Sequence, residues 1–145
     1  EDKNPLMIVI LKGAFMFGSD LLKAMNKDVE LSFVKVSSYE GTESTGRVNV
    51  VMDADIDVSG RDVIIIEDIV DTGTTLHHYL RTPQMKMTNS IAIASLLVKP
   101  NKLKYALDIE YYGFNIEDDF VIGYGLDYNE YGRLYPDIYQ LTKED

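Results

Sequence analysis

Two acids in a row, Glu67 and Asp68, close the apolar run Val63–Ile66, and Asp71, Thr72, Gly73, Thr74 and Thr75 follow almost at once. This set suits a sugar phosphate. Glycine lets the backbone approach an anion closely, the hydroxyls add donors, and backbone N–H groups at a helix start attract phosphate. The neighbouring carboxylates can accept hydrogen bonds from a ribose diol while the loop holds the 5′-phosphate. The bland alternative makes Asp71 or Thr72 a helix N-cap and leaves Glu67 and Asp68 as solvated strand-end acids. It fails to account for an ordered pattern that runs from Val63 through Thr75. Two other apolar runs also end in polar groups: Leu6–Leu11 in Lys12-Gly13, and Ser90–Val98 in Lys99. His77 and His78 invite a metal reading, but neighbours on a helix do not face the same way, so both are assigned to the surface.

The elements that must position these residues follow from periodicity. Leu6–Leu11, Val63–Ile66 and Ser90–Val98 are continuous and rich in branched residues, as strands buried on both faces are. Ala14, Phe17, Gly18, Leu21, Leu22 and Met25 share one side of a helix. Glu30–Ser37 alternates with period two and Val48–Met52 reads as its antiparallel neighbour, joined through a polar, peripheral stretch at 38–47. Ser59-Gly60 marks a turn, and Thr74–Leu80 reads as a helix that Pro83 stops or kinks. Shorter strands are predicted at Ile109–Tyr112, Phe120–Tyr124 and Ile138–Leu141. Buried strands separated by helices predict an α/β fold with a mostly parallel sheet flanked by helices and right-handed crossovers. Ligands gather at the carboxyl ends of such strands, so the three polar endings point to one site.

Composition narrows the function classes. The 145 residues, 46% hydrophobic and 26% charged, suffice for one domain over 1–145 with a real core. Fourteen basic against 24 acidic residues leave a net charge of -10, which argues against nucleic-acid and membrane-surface partners. An anionic ligand must then be held by a local trap or a metal. Without cysteine there is no disulfide, thiolate nucleophile or zinc-cysteine site. The longest apolar run, Leu6–Leu11, is far short of a membrane span, and the start lacks signal-peptide character. A cytoplasmic protein is the expectation.

The run VIIIEDIVDTGTT (Val63–Thr75) closely resembles the ribose-phosphate motif of the type I phosphoribosyltransferases. Four further segments resemble the hypoxanthine(-guanine) phosphoribosyltransferase family within them: LKGA (Leu11–Ala14), SSY (Ser37–Tyr39), SLLVK (Ser95–Lys99) and FVIGYGLDYNEYGR (Phe120–Arg133). The resemblance covers almost the whole chain. It implies purine salvage, in which phosphoribosyl pyrophosphate and hypoxanthine or guanine give IMP or GMP and pyrophosphate, with Mg2+ as cofactor and a homodimer or homotetramer as the assembly.

By that resemblance Glu67 and Asp68 hold the ribose hydroxyls, and Asp71, Thr72, Gly73, Thr74 and Thr75 surround the 5′-phosphate. Asp71 exchanges a proton at purine N7, a role other branches lack. Lys99 donates to the exocyclic O6, Phe120 stacks on the purine, and Val121 offers backbone contacts to its edge. Lys12, Gly13 and Arg133 contact pyrophosphate, and the Leu11–Lys12 peptide is expected to be cis. Glu67, Asp68 and Asp127 are the implied metal ligands. Ser38 and Tyr39 head the mobile active-site loop 38–47. Two departures stand out. The family carries a further segment before this first strand, with part of a small hood over the base, so the hood is expected to be truncated here. Arg81–Ser90 interrupts the helix after the phosphate loop earlier than the family pattern does. The competing readings are a regulator that keeps the phosphoribosyl pyrophosphate pocket without catalysis and a type I transferase for another base.

Overall fold

A computed structural model describes residues 4–38 and 48–142. The chain runs β1 (Leu6–Leu11), α1 (Phe15–Met25), β2 (Glu30–Ser38), β3 (Val48–Met52), β4 (Asp62–Val70), α2 (Thr74–Leu80), β5 (Ser90–Val98), β6 (Tyr111–Asn115), β7 (Val121–Ile122) and β8 (Tyr139–Gln140). Single 3₁₀ turns lie at Met85–Met87 and Pro100–Lys102. Six strands form one sheet in the order β3-β2-β1-β4-β5-β6, and β7 pairs with β8 separately. Every pairing in the large sheet is parallel except β2 with β3.

The apolar runs fill both faces of this sheet. On one face Leu6, Ile8, Ile10 and Ile65 pack with Leu76 and Tyr79 of α2. On the other Met7, Val9 and Ile66 pack under Phe17, Leu21 and Leu22 of α1. Each fully buried Leu or Ile contributes about 1.5–3 kcal/mol. Gly18 sets how close α1 lies, since a Cβ there would stand 3.1 Å from both methyls of Val9.

Several elements differ from the sequence reading: the strands predicted at Phe120–Tyr124 and Ile138–Leu141 shorten to β7 and β8, and two others shift. The run Val63–Ile66 is the centre of a longer strand that carries Glu67 and Asp68 within it. β4 keeps pairing with β5 as far as Val70↔Val98, whereas its pairing with β1 ends at Val9↔Ile66. The acids therefore sit on a strand fixed on one side and open on the other. The predicted strand Ile109–Tyr112 begins later, at Tyr111, because Ile109 packs against the main core. The interruption at Arg81–Ser90 has a packing reason: after α2 ends, the 3₁₀ turn delivers Met85 into that core, where it is 1% exposed.

Candidate active site

β1 has β2 on one side and β4 on the other, so the chain reverses direction of sheet growth between β1 and β4. A crevice opens there at the carboxyl ends, as in doubly wound sheets generally. A cavity of about 220 Å³ occupies it, lined by Gly13 after β1, by Glu67 and Asp68 on β4, and by Asp71 and the run from Thr72 to Thr75 beyond. Glu67 is only 8% exposed, and its carboxylate accepts the Asp68 backbone N–H at 3.1 Å. Burial, and then the adjacent Asp68 charge, hold its carboxyl well above the usual glutamate range. A Cβ at position 13 would collide with the Asp68 carboxylate, so a larger residue there would displace that acid. The Leu11–Lys12 peptide beside it is cis.

The phosphate-type loop is built by its own hydroxyls and by a brace behind it. Thr72 and Thr74 share a hydroxyl hydrogen bond of 2.9 Å, and the Thr74 backbone N–H donates to Thr72 Oγ1 at 3.3 Å. Gly73 adopts φ 80°, and a Cβ there would lie 2.7 Å from Leu107. The Lys104 N–H donates to the Thr72 carbonyl at 2.9 Å. The connection after β5 thus holds the loop from outside and leaves its inner face to the cavity.

Asp71 lies between two ammonium groups. Lys99, 6% exposed at the end of β5, reaches Asp71 Oδ2 at 3.4 Å and Asp118 Oδ1 at 3.6 Å. Lys102 reaches Asp71 Oδ1 at 3.4 Å and Asp118 Oδ1 at 3.0 Å. The Asp118–Lys102 hydrogen bond lowers the acid and raises the ammonium. Sequence reasoning singled out Asp71 and Lys99 but missed Lys102 and Asp118. The available signal was Pro100 between two lysines three apart, which a 3₁₀ turn brings to one side.

A third group joins Lys12, Asp127 and Arg133. Arg133 contacts Asp127 Oδ2 at 3.3 Å and donates to the Gly125 carbonyl at 2.6 Å. Glu130, also missed from sequence, ties this group together: its Oε2 stands 3.2 Å from both Lys12 Nζ and Arg133 Nη2. Lys12 first, then Arg133, lowers its carboxyl below the usual range. Gly125 abuts the Gly13 carbonyl so closely that a Cβ would collide with it. The segment containing Asp127 and Arg133 is thereby seated on the turn after β1.

Phe120 and Val121 begin the small β7–β8 layer. Phe120 is 51% exposed, with its ring edge-to-face to Tyr128 at 5.8 Å, and it follows Asp118 by two residues. Ser38 closes β2, while Tyr39 and the rest of the 38–47 loop assignment lie outside the described residues. His77 and His78 are half-buried rather than free at the surface: His77 stacks on Tyr105 with ring centroids 3.9 Å apart. Among the described residues no three His, Cys, Asp or Glu side chains converge as a metal centre. Among them, too, no helix is long and apolar enough to cross a membrane.

Comparisons with known proteins agree with this arrangement. A model of the phosphoribosyl transferase domain family matches residues 1–129. The hypoxanthine-guanine phosphoribosyltransferase of Staphylococcus epidermidis is 44% identical over 145 residues, spanning 99% of this chain and 81% of that protein. A crystal structure of a hypoxanthine phosphoribosyltransferase from Staphylococcus aureus superposes with a TM-score of 0.88 at 46% identity, covering 96% of this chain and 77% of that one. One of a hypoxanthine-guanine phosphoribosyltransferase from Bacillus anthracis, with a HEPES molecule in its active site, gives 0.90 at 38% identity, covering 98% and 84%.

Proposed function

The chain belongs to the phosphoribosyltransferase family, and from that premise we propose that it is a purine-salvage enzyme joining hypoxanthine or guanine to phosphoribosyl pyrophosphate. The observation that carries the reading is the pairing of Asp71, at the head of the phosphate loop, with the buried Lys99. An acceptor and a donor side by side match the N7–H and O6 of a 6-oxopurine. An amino substituent at the same place would meet the ammonium donor with another donor.

The chemistry follows from charge. Purine N9 forms its bond to C1 of the ribose as the bond from C1 to the pyrophosphate oxygen breaks. The N7 proton passes to an Asp71 carboxylate oxygen, and pyrophosphate leaves with the bonding electrons. As C1 loosens, the sugar ring becomes positive and the leaving group more negative, and preorganised charges at those two places lower the barrier. Glu67 and Asp68 stand at the ribose side, the Thr72–Thr75 loop holds the 5′-phosphate, and Lys12, Gly13 and Arg133 take the pyrophosphate. Phe120 stacks on the base and Val121 meets its edge.

The donor set fits magnesium, which prefers a few carboxylates and keeps waters and substrate oxygens as its other ligands. Glu67 and Asp68 are neighbouring carboxylates in one crevice whose mutual repulsion a cation would relieve. Glu67 and Asp68 on the ribose side, and Asp127 on the pyrophosphate side, are the residues that would bind metal, in two places rather than one converging centre among the described residues, and bound there it would neutralise the pyrophosphate. In the same reading the enzyme works in the cytoplasm as a homodimer or homotetramer, which light scattering of the purified protein would test.

Initial rates with hypoxanthine, guanine, xanthine and adenine, each with phosphoribosyl pyrophosphate and magnesium, test the proposal. Turnover with hypoxanthine or guanine and none with adenine is expected. Binding of phosphoribosyl pyrophosphate without turnover of any base would instead support a regulator.

A further inference from the structure

The Asp71–Lys99 pair accounts for one donor and one acceptor, but the structure places a second ammonium on the same carboxylate. Pro100–Lys102 is a 3₁₀ turn closed by the Lys102 N–H on the Lys99 carbonyl at 3.0 Å. Residues three apart eclipse in such a turn, so the two lysines leave it on the same side. Lys99 takes Asp71 Oδ2 and Lys102 takes Oδ1, each at 3.4 Å. Two ammonium groups so near one another repel, and Asp118 offsets this by bridging both, at 3.6 Å and 3.0 Å. The result is a ring of alternating charge with two acids and two bases.

This ring meets a conflict when a 6-oxopurine arrives. Lys99 is buried at the end of β5, and its one ammonium must divide between Asp71 and the purine oxygen. Lys102 is about one-third exposed, stands 3.0 Å from Asp118 and 3.4 Å from Asp71, and has no purine oxygen to serve. We propose that Lys102 is a positioning residue for the purine base, the ammonium that stays on Asp71 when Lys99 turns to the 6-oxo group. By holding Oδ1 it keeps Asp71 oriented with Oδ2 free for N7, and it supplies the charge that Lys99 gives up. Asp118 in turn keeps Lys102 in place. The inference deepens the transfer reading above and rests on it.

Steady-state kinetics with the two substrates varied separately decide the matter. For Lys102→Met, KM for hypoxanthine should rise about fivefold, the scale of one lost ion pair at a partly exposed site. KM for phosphoribosyl pyrophosphate should stay within about twofold, since no sugar or phosphate contact is touched. Lys102→Arg should recover most of the loss, because guanidinium also pairs with carboxylate. An unchanged hypoxanthine KM in Lys102→Met overturns the proposal, as do equal rises for both substrates or an Lys102→Arg variant as impaired as Lys102→Met. Should Lys102→Met fold poorly, Lys102→Gln gives the same readout. A wild-type chain with no turnover of any 6-oxopurine would overturn the transfer reading itself, and this one with it. An active wild type with an insensitive Lys102 overturns this one alone.

Discussion

Asp71 and Glu67 are both carboxylates of one crevice, yet their surroundings assign them different work. Asp71 has an ammonium group 3.4 Å from each oxygen and sits at the head of the phosphate loop, where the proposed reaction needs a proton acceptor. Asp71→Asn should therefore lower kcat by about 10²–10⁴-fold, the usual scale for removing a general acid or base. A variant with near-wild-type turnover would remove Asp71 from the proton path. Glu67 has burial and a like charge instead, and both oppose ionisation. Its proton is held more tightly in the folded chain than in the unfolded one. Across the window between the ordinary value near 4.5 and the raised one, folding takes up a proton, so stability falls as pH rises. Glu67→Gln removes that penalty. In ligand-free protein its Tm should exceed wild type at pH 7–8 and converge with it below about pH 4. A Tm difference that does not change with pH would show that Glu67 carries no such burden. Of these residue-scale features, the acids, the hydroxyls and Lys99 were legible because residue type and order signal chemistry directly. Glu130, Lys102 and Asp118 were not, because each acts through partners far away in sequence: Glu130 meets Lys12, Lys102 meets Asp71, and Asp118 meets Lys99 and Lys102.

At the scale of elements, the strands buried on both faces announced themselves as unbroken apolar runs, and β1, α2 and β5 begin and end where the pattern predicts. The extension of β4 through Glu67 and Asp68 was illegible for a physical reason. Polar residues normally end a buried strand, but here the β5 ladder carries the backbone past the point where β1 lets go. The short β6, β7 and β8 also shifted, since two to five residues carry too little periodicity to fix their bounds. α2 holds a further consequence of packing. Tyr79 is the largest fully buried side chain, and among the described residues its hydroxyl has no hydrogen-bond partner. Burial pushes that phenol above its ordinary range, with Asp53 adding to the effect. A buried hydroxyl left unpaired costs about 1–3 kcal/mol, and the ring of phenylalanine fills the same space without it. Tyr79→Phe should raise Tm by about 2–12 °C, measured by thermal denaturation in the absence of ligand. A lower Tm would mean that the hydroxyl is satisfied in solution.

For the molecule as a whole, the difficulty is a polyanionic substrate entering a protein of net charge -10. The two cations assigned to pyrophosphate do not resolve it in the ligand-free state. Lys12 is engaged by Glu130, and Arg133 by Glu130 and Asp127, so two positive groups face two negative ones and no surplus remains. The ribose side is worse, because among the described residues that line its cavity Glu67 and Asp68 have no cation beside them. Salt screens such repulsion over about 8–10 Å in solution but much less inside a crevice. In the proposed reading a divalent cation would remove both problems, since it would offset the pyrophosphate charge and give the carboxylates a partner. Excess chelator should therefore abolish turnover, and restoring magnesium should restore it. Asp127→Asn should raise the magnesium concentration needed for half-maximal rate while leaving the rate at saturating metal less affected. The measurement is a magnesium titration of initial rate at fixed ionic strength, so that screening does not mimic metal binding. Full activity in chelator, or the same half-maximal concentration in Asp127→Asn, would mean that Lys12 and Arg133 are released from their carboxylates by some other route and overcome the field unaided.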